Sequence, residues 1–276
     1  MARPGRPKMP KPDLHPSVES FLDMLTAERG AALNTRQAYW RDLADVTQYL
    51  RTQKNTDLDK ASTEDLKAYI EDLTHKIHTK GQNKSQIAVR TVARRLSAMR
   101  QYYRYLVSEN TRSEDPTTTI DSPKQGRTLP KTLSEEEVAQ LIKTAAISGT
   151  AESTRLVCLL EMLYATGLRV SELVGLPMAA IGENTEFLMV EGKGGRERMI
   201  PLSEPAQNAI KTYLDLREQF IGNENRAAQE KSFFPSKTSE SGHLTRQRFA
   251  QLLKDLARDA KVDEGRVSPH ILRHAF

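Results

Sequence analysis

Residues 153–173 of the chain read Ser-Thr-Arg-Leu-Val-Cys-Leu-Leu-Glu-Met-Leu-Tyr-Ala-Thr-Gly-Leu-Arg-Val-Ser-Glu-Leu. Nine of the first fourteen of these residues are apolar, including the run Leu156–Leu160, which predicts a buried helix over 153–166. Gly167 is expected to end this helix, because glycine readily adopts the left-handed conformation found at helix C-termini. A short amphipathic helix over 171–176 follows, so Arg169 is expected at the junction of two helices. Cys158, the single cysteine, is predicted to pack in the core rather than to act as a reactive thiol.

The residues around this stretch predict the rest of a second domain. Ser134 and Glu137 have the spacing of a capping box at the start of a helix. Two apolar segments within 187–202 flank a glycine-rich turn, which predicts a β-hairpin. Helices are expected at about 203–220 and 245–260, and a last one begins after the N-cap candidate Ser268.

Upstream, the spacing of apolar residues predicts four helices. The first begins near Ser17, the second has Asn34 and Gln37 in capping-box form, Ser62 caps the third, and the fourth runs from about 85 to 107. The fold class is therefore mainly α with a small β-hairpin. The expected organisation is a disordered basic arm over 1–16, a four-helix domain over 17–108, a linker over 109–131 and a second domain over 132–276.

The charge of the chain is concentrated in its N-terminal half. The formal net charge is +5, and residues 1–131 carry 23 Lys and Arg against 16 Asp and Glu, which leaves +7 there and −2 in the rest. A basic half favours a polyanion as partner, although such imbalances also arise without function. A signal peptide and a membrane-spanning segment are not expected, which indicates a soluble, cytoplasmic protein.

The fourth predicted helix carries its arginines on one side. Arg90, Arg94, Arg100 and Arg104 fall within an arc of roughly 120°, separate from an apolar arc of roughly 80°. No acidic residue occurs from Ser85 to Ser108. Four guanidinium groups without a local counter-charge favour phosphate groups of DNA as partners, and a solvated charged face is the alternative.

Three separate segments carry candidate site residues. Arg169, taken alone, is explained by an ion pair with Glu172 three residues later. Lys193 lies at the glycine-rich turn, where an exposed lysine without a role is the simpler interpretation. His270 and Arg273 share one face of a helix near its N-terminus, where backbone N–H groups and the helix dipole also favour an anion. Such a set can hold a phosphate without a metal, and clustered ligands typical of a metal nuclease are missing.

These segments, in this order, resemble the tyrosine recombinase (phage-integrase-like) family. Within it they resemble the Xer recombinases, and the XerD-like more than the XerC-like branch. The resemblance covers nearly the whole chain from about Ser17 and includes the stretches beginning at Asn34, Arg95, Leu133 and Leu244. It implies an N-terminal SAM-like core-binding domain and a C-terminal catalytic domain that recombines specific DNA sites, in Xer proteins dif-like sites for resolving chromosome dimers.

The resemblance also implies a role for each candidate. Arg169 and Arg273 correspond to the pair that clamps the scissile phosphate, Lys193 to the general acid for the 5′ oxygen, and His270 to a group that orients the phosphate and assists proton transfer. Glu172 is implied to support Arg169, and His274 to be structural. Arg246 and Arg248 are implied DNA contacts, together with the arginines of the fourth helix. No cofactor or metal is expected.

Two features depart from the family pattern. Ala250 stands where the family often has Trp, and no tyrosine follows His270 to match the nucleophile, since the only tyrosine after Arg169 is Tyr213. The expectation is a C-terminally truncated recombinase with an incomplete catalytic domain, which binds DNA but does not cleave it. The alternatives are an inactive DNA-binding relative and a phage or mobile-element integrase.

The resemblance finally implies partners. Double-stranded DNA is the first, and a homo- or heterotetramer with a second Xer recombinase assembled on that DNA is the second. An FtsK-type DNA translocase is an implied activator, and no membrane is involved.

Overall fold

The computed structural model describes residues 14–78, 85–123, 132–182, 185–191 and 197–275, with only the backbone at 75–78, 85–88 and 274. The chain divides into two compact units, 1–128 and 129–276. A mainly helical fold with one small hairpin is confirmed. Within the described ranges, no helix is both long and apolar enough to cross a membrane.

The first unit is built from four helices around one apolar core. They are α1 (Pro16–Ala27), α2 (Leu33–Tyr49), α3 (Thr63–His78) and α4 (Ser85–Ser108), with a π-helical turn, Leu50–Lys54, after α2. Phe21, Leu43, Leu96 and Tyr102 are fully buried where α1, α2 and α4 meet. The four helices predicted from apolar spacing are therefore confirmed.

Of the two helix caps predicted for α2 and α3, one is present in the structure and the other is not. Ser62 Oγ accepts a hydrogen bond from the Asp65 N–H at 3.2 Å, and the Asp65 carboxylate accepts one from the Ser62 N–H at 3.1 Å, so the predicted cap of α3 is confirmed. The capping box predicted at Asn34 is wrong. The Ala32 carbonyl already accepts from the N–H groups of residues 35 and 36, which places Asn34 inside the first turn of α2.

Both ends of the first unit extend beyond the predicted bounds. The disordered arm was expected to reach residue 16, but His15 caps α1 and Leu14 packs against the core; residues 1–13 lie outside the described residues. After α4, Ile120 is 5% exposed in the same core, and Arg112 donates hydrogen bonds to the backbone of the first unit. The segment expected as a linker from residue 109 is therefore packed as far as Ile120.

The second unit surrounds a central helix. Its helices are α5 (Glu135–Ala146), α6 (Ala151–Thr166), α7 (Val170–Val174), α8 (Glu204–Leu216), α9 (Arg226–Lys231), α10 (Arg246–Asp259) and α11 (Pro269–His274), and β1 (Phe187–Glu191) and β2 (Glu197–Pro201) precede α8. Helix α6 packs against α5, α8 and α11. Leu159 and Leu163 are fully buried, as is Cys158, whose predicted place in the core is confirmed.

The local signals of this unit also give the expected structure. The capping box of Ser134 and Glu137 at the start of α5 is confirmed, with both hydrogen bonds present. Helix α6 begins after Thr150, two residues earlier than expected, because the Thr150 hydroxyl accepts a hydrogen bond from the Ser153 N–H. Gly167 ends α6 in the left-handed conformation, with φ at +56°, and its N–H donates to the Leu163 carbonyl at 3.0 Å.

The hairpin pairs β1 with β2 in antiparallel register, with Val190 opposite Arg198 and Met189 opposite Met199. Val190 is 4% exposed, whereas Met189 and Met199 are 44% and 62% exposed, so one face of the hairpin packs on the unit and the other faces outward. The connection over 192–196 lies outside the described residues.

We expect Gly167→Ala to lower the free energy of unfolding by about 1–2 kcal/mol, because a Cβ in the left-handed region lies too close to the backbone carbonyl. Gly167→Asn should cost less, since asparagine tolerates this conformation better than other non-glycine residues. Urea unfolding of the three proteins checks this. Equal losses for the two variants would show that backbone conformation is not what requires glycine here.

Candidate phosphate and DNA site

Arg169 occupies the junction between α6 and α7. It is the N-cap residue of α7, and its backbone is extended, with φ −66° and ψ 145°. Its side chain is 54% exposed, whereas the preceding Leu168 is fully buried. The left-handed turn at Gly167 and the burial of Leu168 thus direct a guanidinium group to the surface at a defined point.

Glu172 holds this arginine by two contacts. Its carboxylate accepts a hydrogen bond from the Arg169 N–H at 2.8 Å and another from the Arg169 guanidinium at 2.8 Å. The same carboxylate accepts from the guanidinium of Arg198, on β2, at 3.1 Å. Arg198 lies opposite buried Val190 in the hairpin, which places it on the face that packs on the unit. The contact expected between Arg169 and Glu172 is present, and Arg198 was not foreseen.

The environment of Glu172 favours its charged form. Burial alone would raise the pKa of this carboxyl, but the Arg169 N–H and guanidinium, together with Arg198, outweigh that effect and hold the pKa below its usual value. Glu172 is therefore an anion at neutral pH, and it keeps two guanidinium groups close to each other.

His270 and Arg273 lie on α11. Ser268 caps this helix by accepting a hydrogen bond from the Ile271 N–H at 3.3 Å, and Pro269 occupies the first turn, as predicted. Leu272 is 1% exposed and anchors α11 in the core, whereas His270 is exposed and Arg273 is half-buried. Within the described residues, Arg273 makes no hydrogen bond or ion pair that would occupy its guanidinium.

Packing brings the elements that carry these side chains into one neighbourhood. Helices α7 and α11 both contact α6, and both contact α10. Arg169 and Arg273 thus stand on two elements of the same unit that pack against the same two helices. Guanidinium groups bind phosphate through paired, charge-assisted N–H donors, so each of these two arginines is chemically suited to bind an anion.

Two candidates fall on residues that are not described. Lys193 lies in the connection over 192–196, and the side chain of His274 is likewise outside the described residues. For Lys193, the bounding pair Glu191 and Glu197 is described at the ends of the two strands.

Tyr213 has a structural environment. It is fully buried on α8, and its hydroxyl donates a hydrogen bond to the Phe233 carbonyl at 3.2 Å. Burial raises the pKa of this phenol well above its usual value, with Arg155 opposing the rise. A buried, neutral hydroxyl is unsuited to attack a phosphate on the surface.

Arg246 and Arg248 are exposed in the first turn of α10. Thr245 caps this helix by accepting a hydrogen bond from the Arg248 N–H at 3.1 Å. The structure therefore presents both arginines at a helix N-terminus, where an anion is favoured.

The arginines of α4 divide into two pairs. Arg90 and Arg104 are exposed and, among the described residues, make no hydrogen bond or ion pair. The expectation that all four guanidinium groups lack partners is wrong for the other two. Arg94 is ion-paired with Asp42, and Arg100 donates hydrogen bonds to the Ile120 carbonyl at 2.5 Å and to Ser122 at 2.8 Å. These partners lie far away in sequence, so a search of α4 alone could not find them.

In the part of the chain that the structure describes, no group of three or more His, Cys, Asp or Glu side chains could hold a metal ion.

Comparison with known proteins relates both units to one family. Residues 131–276 match the phage integrase family, and residues 18–110 match the phage integrase N-terminal SAM-like domain. The chain is 45% identical over 265 residues to the tyrosine recombinase XerD of Rhizobium meliloti (strain 1021), covering 94% of this chain and 80% of that protein. It is 44% identical over 274 residues to the tyrosine recombinase XerD of Agrobacterium fabrum, again covering 94% and 80%.

Solved structures share the fold. The XerH site-specific recombinase bound to difH substrate, in a pre-cleavage complex, is similar with a TM-score of 0.65 at 17% identity, covering 94% of this chain and 73% of that one. A lambda integrase dimer bound to a COC′ core site has a TM-score of 0.62 at 18% identity, covering 95% and 87%. Two domain matches cover most of the chain, and the two XerD proteins are 44–45% identical to it over 94% of its length. The chain therefore belongs to the phage integrase family of tyrosine recombinases.

Proposed function

We propose that this protein takes part in site-specific DNA recombination, in which DNA is cut and rejoined through a 3′-phosphotyrosine intermediate. The observation that carries the proposal is the placement of Arg169, held by Glu172 at the end of α6, in the same unit as Arg273 and His270 on α11. The relatives that match 94% of this chain are tyrosine recombinases, which supports the same reaction class.

The proposed chemistry assigns the two arginines to one phosphate. Arg169 and Arg273 bind its non-bridging oxygens and stabilise the negative charge that develops there in the transition state. Glu172 keeps the Arg169 guanidinium in place and does not itself move a proton, because its pKa is below its usual value and it is ionised at neutral pH.

The proton transfers are assigned to two other residues. Lys193 protonates the departing 5′ oxygen, and His270 orients the phosphate and assists proton transfer. The nucleophile of the covalent step is a tyrosine that reaches the phosphate, and Tyr213 is not proposed for that role because it is buried and hydrogen-bonded.

The biological setting is proposed from the XerD relatives. The substrate is a dif-like site on double-stranded DNA, used in the cytoplasm to resolve chromosome dimers. A tetramer formed with a second Xer recombinase assembles on this site, and an FtsK-type DNA translocase activates it.

Selection of bound duplexes from a random DNA library tests the proposal. We expect one related set of sequences to be enriched, and the chain to bind the selected duplex about 10³-fold or more tightly than a scrambled duplex of equal composition. Specific recognition of this size is what a site-specific recombinase needs. Equal affinity for the two duplexes would contradict the proposal and leave only non-specific DNA binding.

The exposed arginines of α4 give a second test. Arg90→Ala and Arg104→Ala should each weaken binding to duplex DNA and reduce the slope of log affinity against log salt by about 0.9, if each guanidinium neutralises one phosphate. The slope is measured by fluorescence anisotropy from low to physiological salt.

Arg36→Ala is the matched control for this test, because it also removes one arginine from the first unit. Arg36 lies on α2 and not on α4, and its guanidinium is ion-paired with Glu19 and Asp23. Its loss should leave the slope unchanged. An equal change of slope in all three variants would show that net charge, and not the α4 face, determines binding.

A further inference from the structure

Asp42 is the one acidic residue that is buried among the described residues of the chain. It lies on α2, only 3% exposed, where α2 packs against α4. A buried carboxylate without a partner is strongly destabilising, so such a residue requires a positive group beside it. The partners of the Asp42 carboxylate therefore indicate its role.

The two oxygens of Asp42 face successive arginines of α4. Oδ2 accepts a hydrogen bond from Arg94 Nη1, and Oδ1 lies 3.8 Å from Arg95 Nε. Burial raises the pKa of the Asp42 carboxyl, and the two arginines oppose that rise. One carboxylate thus connects α2 to two adjacent side chains of α4.

The two arginines differ in their exposure. The Arg95 side chain is 18% exposed and is shared with Asp45 and with the Tyr69 hydroxyl, which it contacts at 2.7 Å. The Arg94 side chain is 49% exposed although its partner is buried. Arg95 therefore belongs to an internal network, whereas Arg94 extends from a buried anchor to the surface.

Arg94 lies on the same side of α4 as Arg90 and Arg104. At about 100° per residue, Arg90, Arg94 and Arg104 fall within an arc of about 80°. A guanidinium has five N–H donors, and among the described residues only Nη1 of Arg94 is engaged, by Asp42. The remaining donors are held on the same side of α4 as the two arginines that lack a described partner.

We infer that Asp42 is a positioning residue for DNA binding, which acts by fixing the guanidinium of Arg94 on the phosphate-facing side of α4. The inference rests on the proposed function. A fixed guanidinium loses less conformational entropy when it binds a phosphate than a freely rotating one does. The opposite effect, in which Asp42 competes with phosphate for Arg94, predicts tighter binding when Asp42 is neutralised.

The test compares Asp42→Asn with Asp45→Asn on the same duplex DNA. Each substitution removes one negative charge from α2 next to an arginine of α4, so the change in long-range attraction is matched. Only Asp42 holds the half-exposed Arg94. We expect Asp42→Asn to bind DNA about 3- to 10-fold more weakly than Asp45→Asn.

The same pair of substitutions is then made in an Arg94→Ala background. The difference in affinity between Asp42→Asn and Asp45→Asn should disappear there, because Asp42 acts through Arg94. A difference that persists without Arg94, or Asp42→Asn binding as tightly as Asp45→Asn or more tightly, would overturn the inference.

A second variant keeps the test decisive if Asp42→Asn does not fold, which thermal unfolding by circular dichroism will show. Arg94→Lys preserves the charge at a half-exposed position but removes the planar fork, so lysine cannot engage Asp42 and a phosphate with separate donors in the same way. It should bind DNA several-fold more weakly than the wild type, and wild-type affinity would overturn the inference. The proposed function has its own readout, since Arg90→Ala and Arg104→Ala weaken binding whether or not Asp42 positions Arg94.

Discussion

The burial of α6 is the constraint on which the second unit depends. This helix is apolar over most of its circumference, and α5, α8 and α11 pack around it. It must end where the apolar run ends, and Gly167 allows the chain to turn there in the left-handed conformation. The buried Leu168 then fixes the next residue, so that Arg169 emerges at the surface. Helix α7, which begins there, packs against the same helices as α11, which carries His270 and Arg273.

In both units, an acidic side chain holds an arginine that reaches the surface. In the second unit, half-exposed Arg169 and Arg198 share the carboxylate of Glu172, which is itself 13% exposed. In the first unit, half-exposed Arg94 is held by the more deeply buried Asp42. In both cases an acidic side chain with little exposure restrains a guanidinium that reaches the surface. Restraint of this kind lowers the entropy cost of binding an anion.

The sequence predicted best what depends on neighbouring residues. The left-handed end of α6 at Gly167, the capping box of Ser134 and the cap of α11 by Ser268 each follow from a few adjacent residues, and all are confirmed. The capping box predicted at Asn34 was wrong because two candidate starts of α2 lie close together. Backbone hydrogen bonds to the Ala32 carbonyl decide between them. Local patterns can identify a helix boundary only to within such alternatives.

Contacts between distant residues could not be predicted in this way. Asp42 lies 52 residues from Arg94, and Arg198 lies 26 residues from Glu172, so neither pair has a signal in local spacing. Arg169, His270 and Arg273 were found from family resemblance, because each is ordinary within its own segment.

Neutralising single phosphates in the DNA tests the central claim, that Arg169 binds a particular phosphate, most directly. A methylphosphonate is placed in turn at each position of the selected duplex, and the affinity of the wild-type chain and of Arg169→Ala is measured for each. We expect one position where the wild type loses more binding than Arg169→Ala does, by about 1.5–3 kcal/mol, the range of a hydrogen bond to a charged group. Arg169→Ala still loses some binding there, because Arg273 contacts the same phosphate. Identical profiles for the two proteins at every position would contradict the claim.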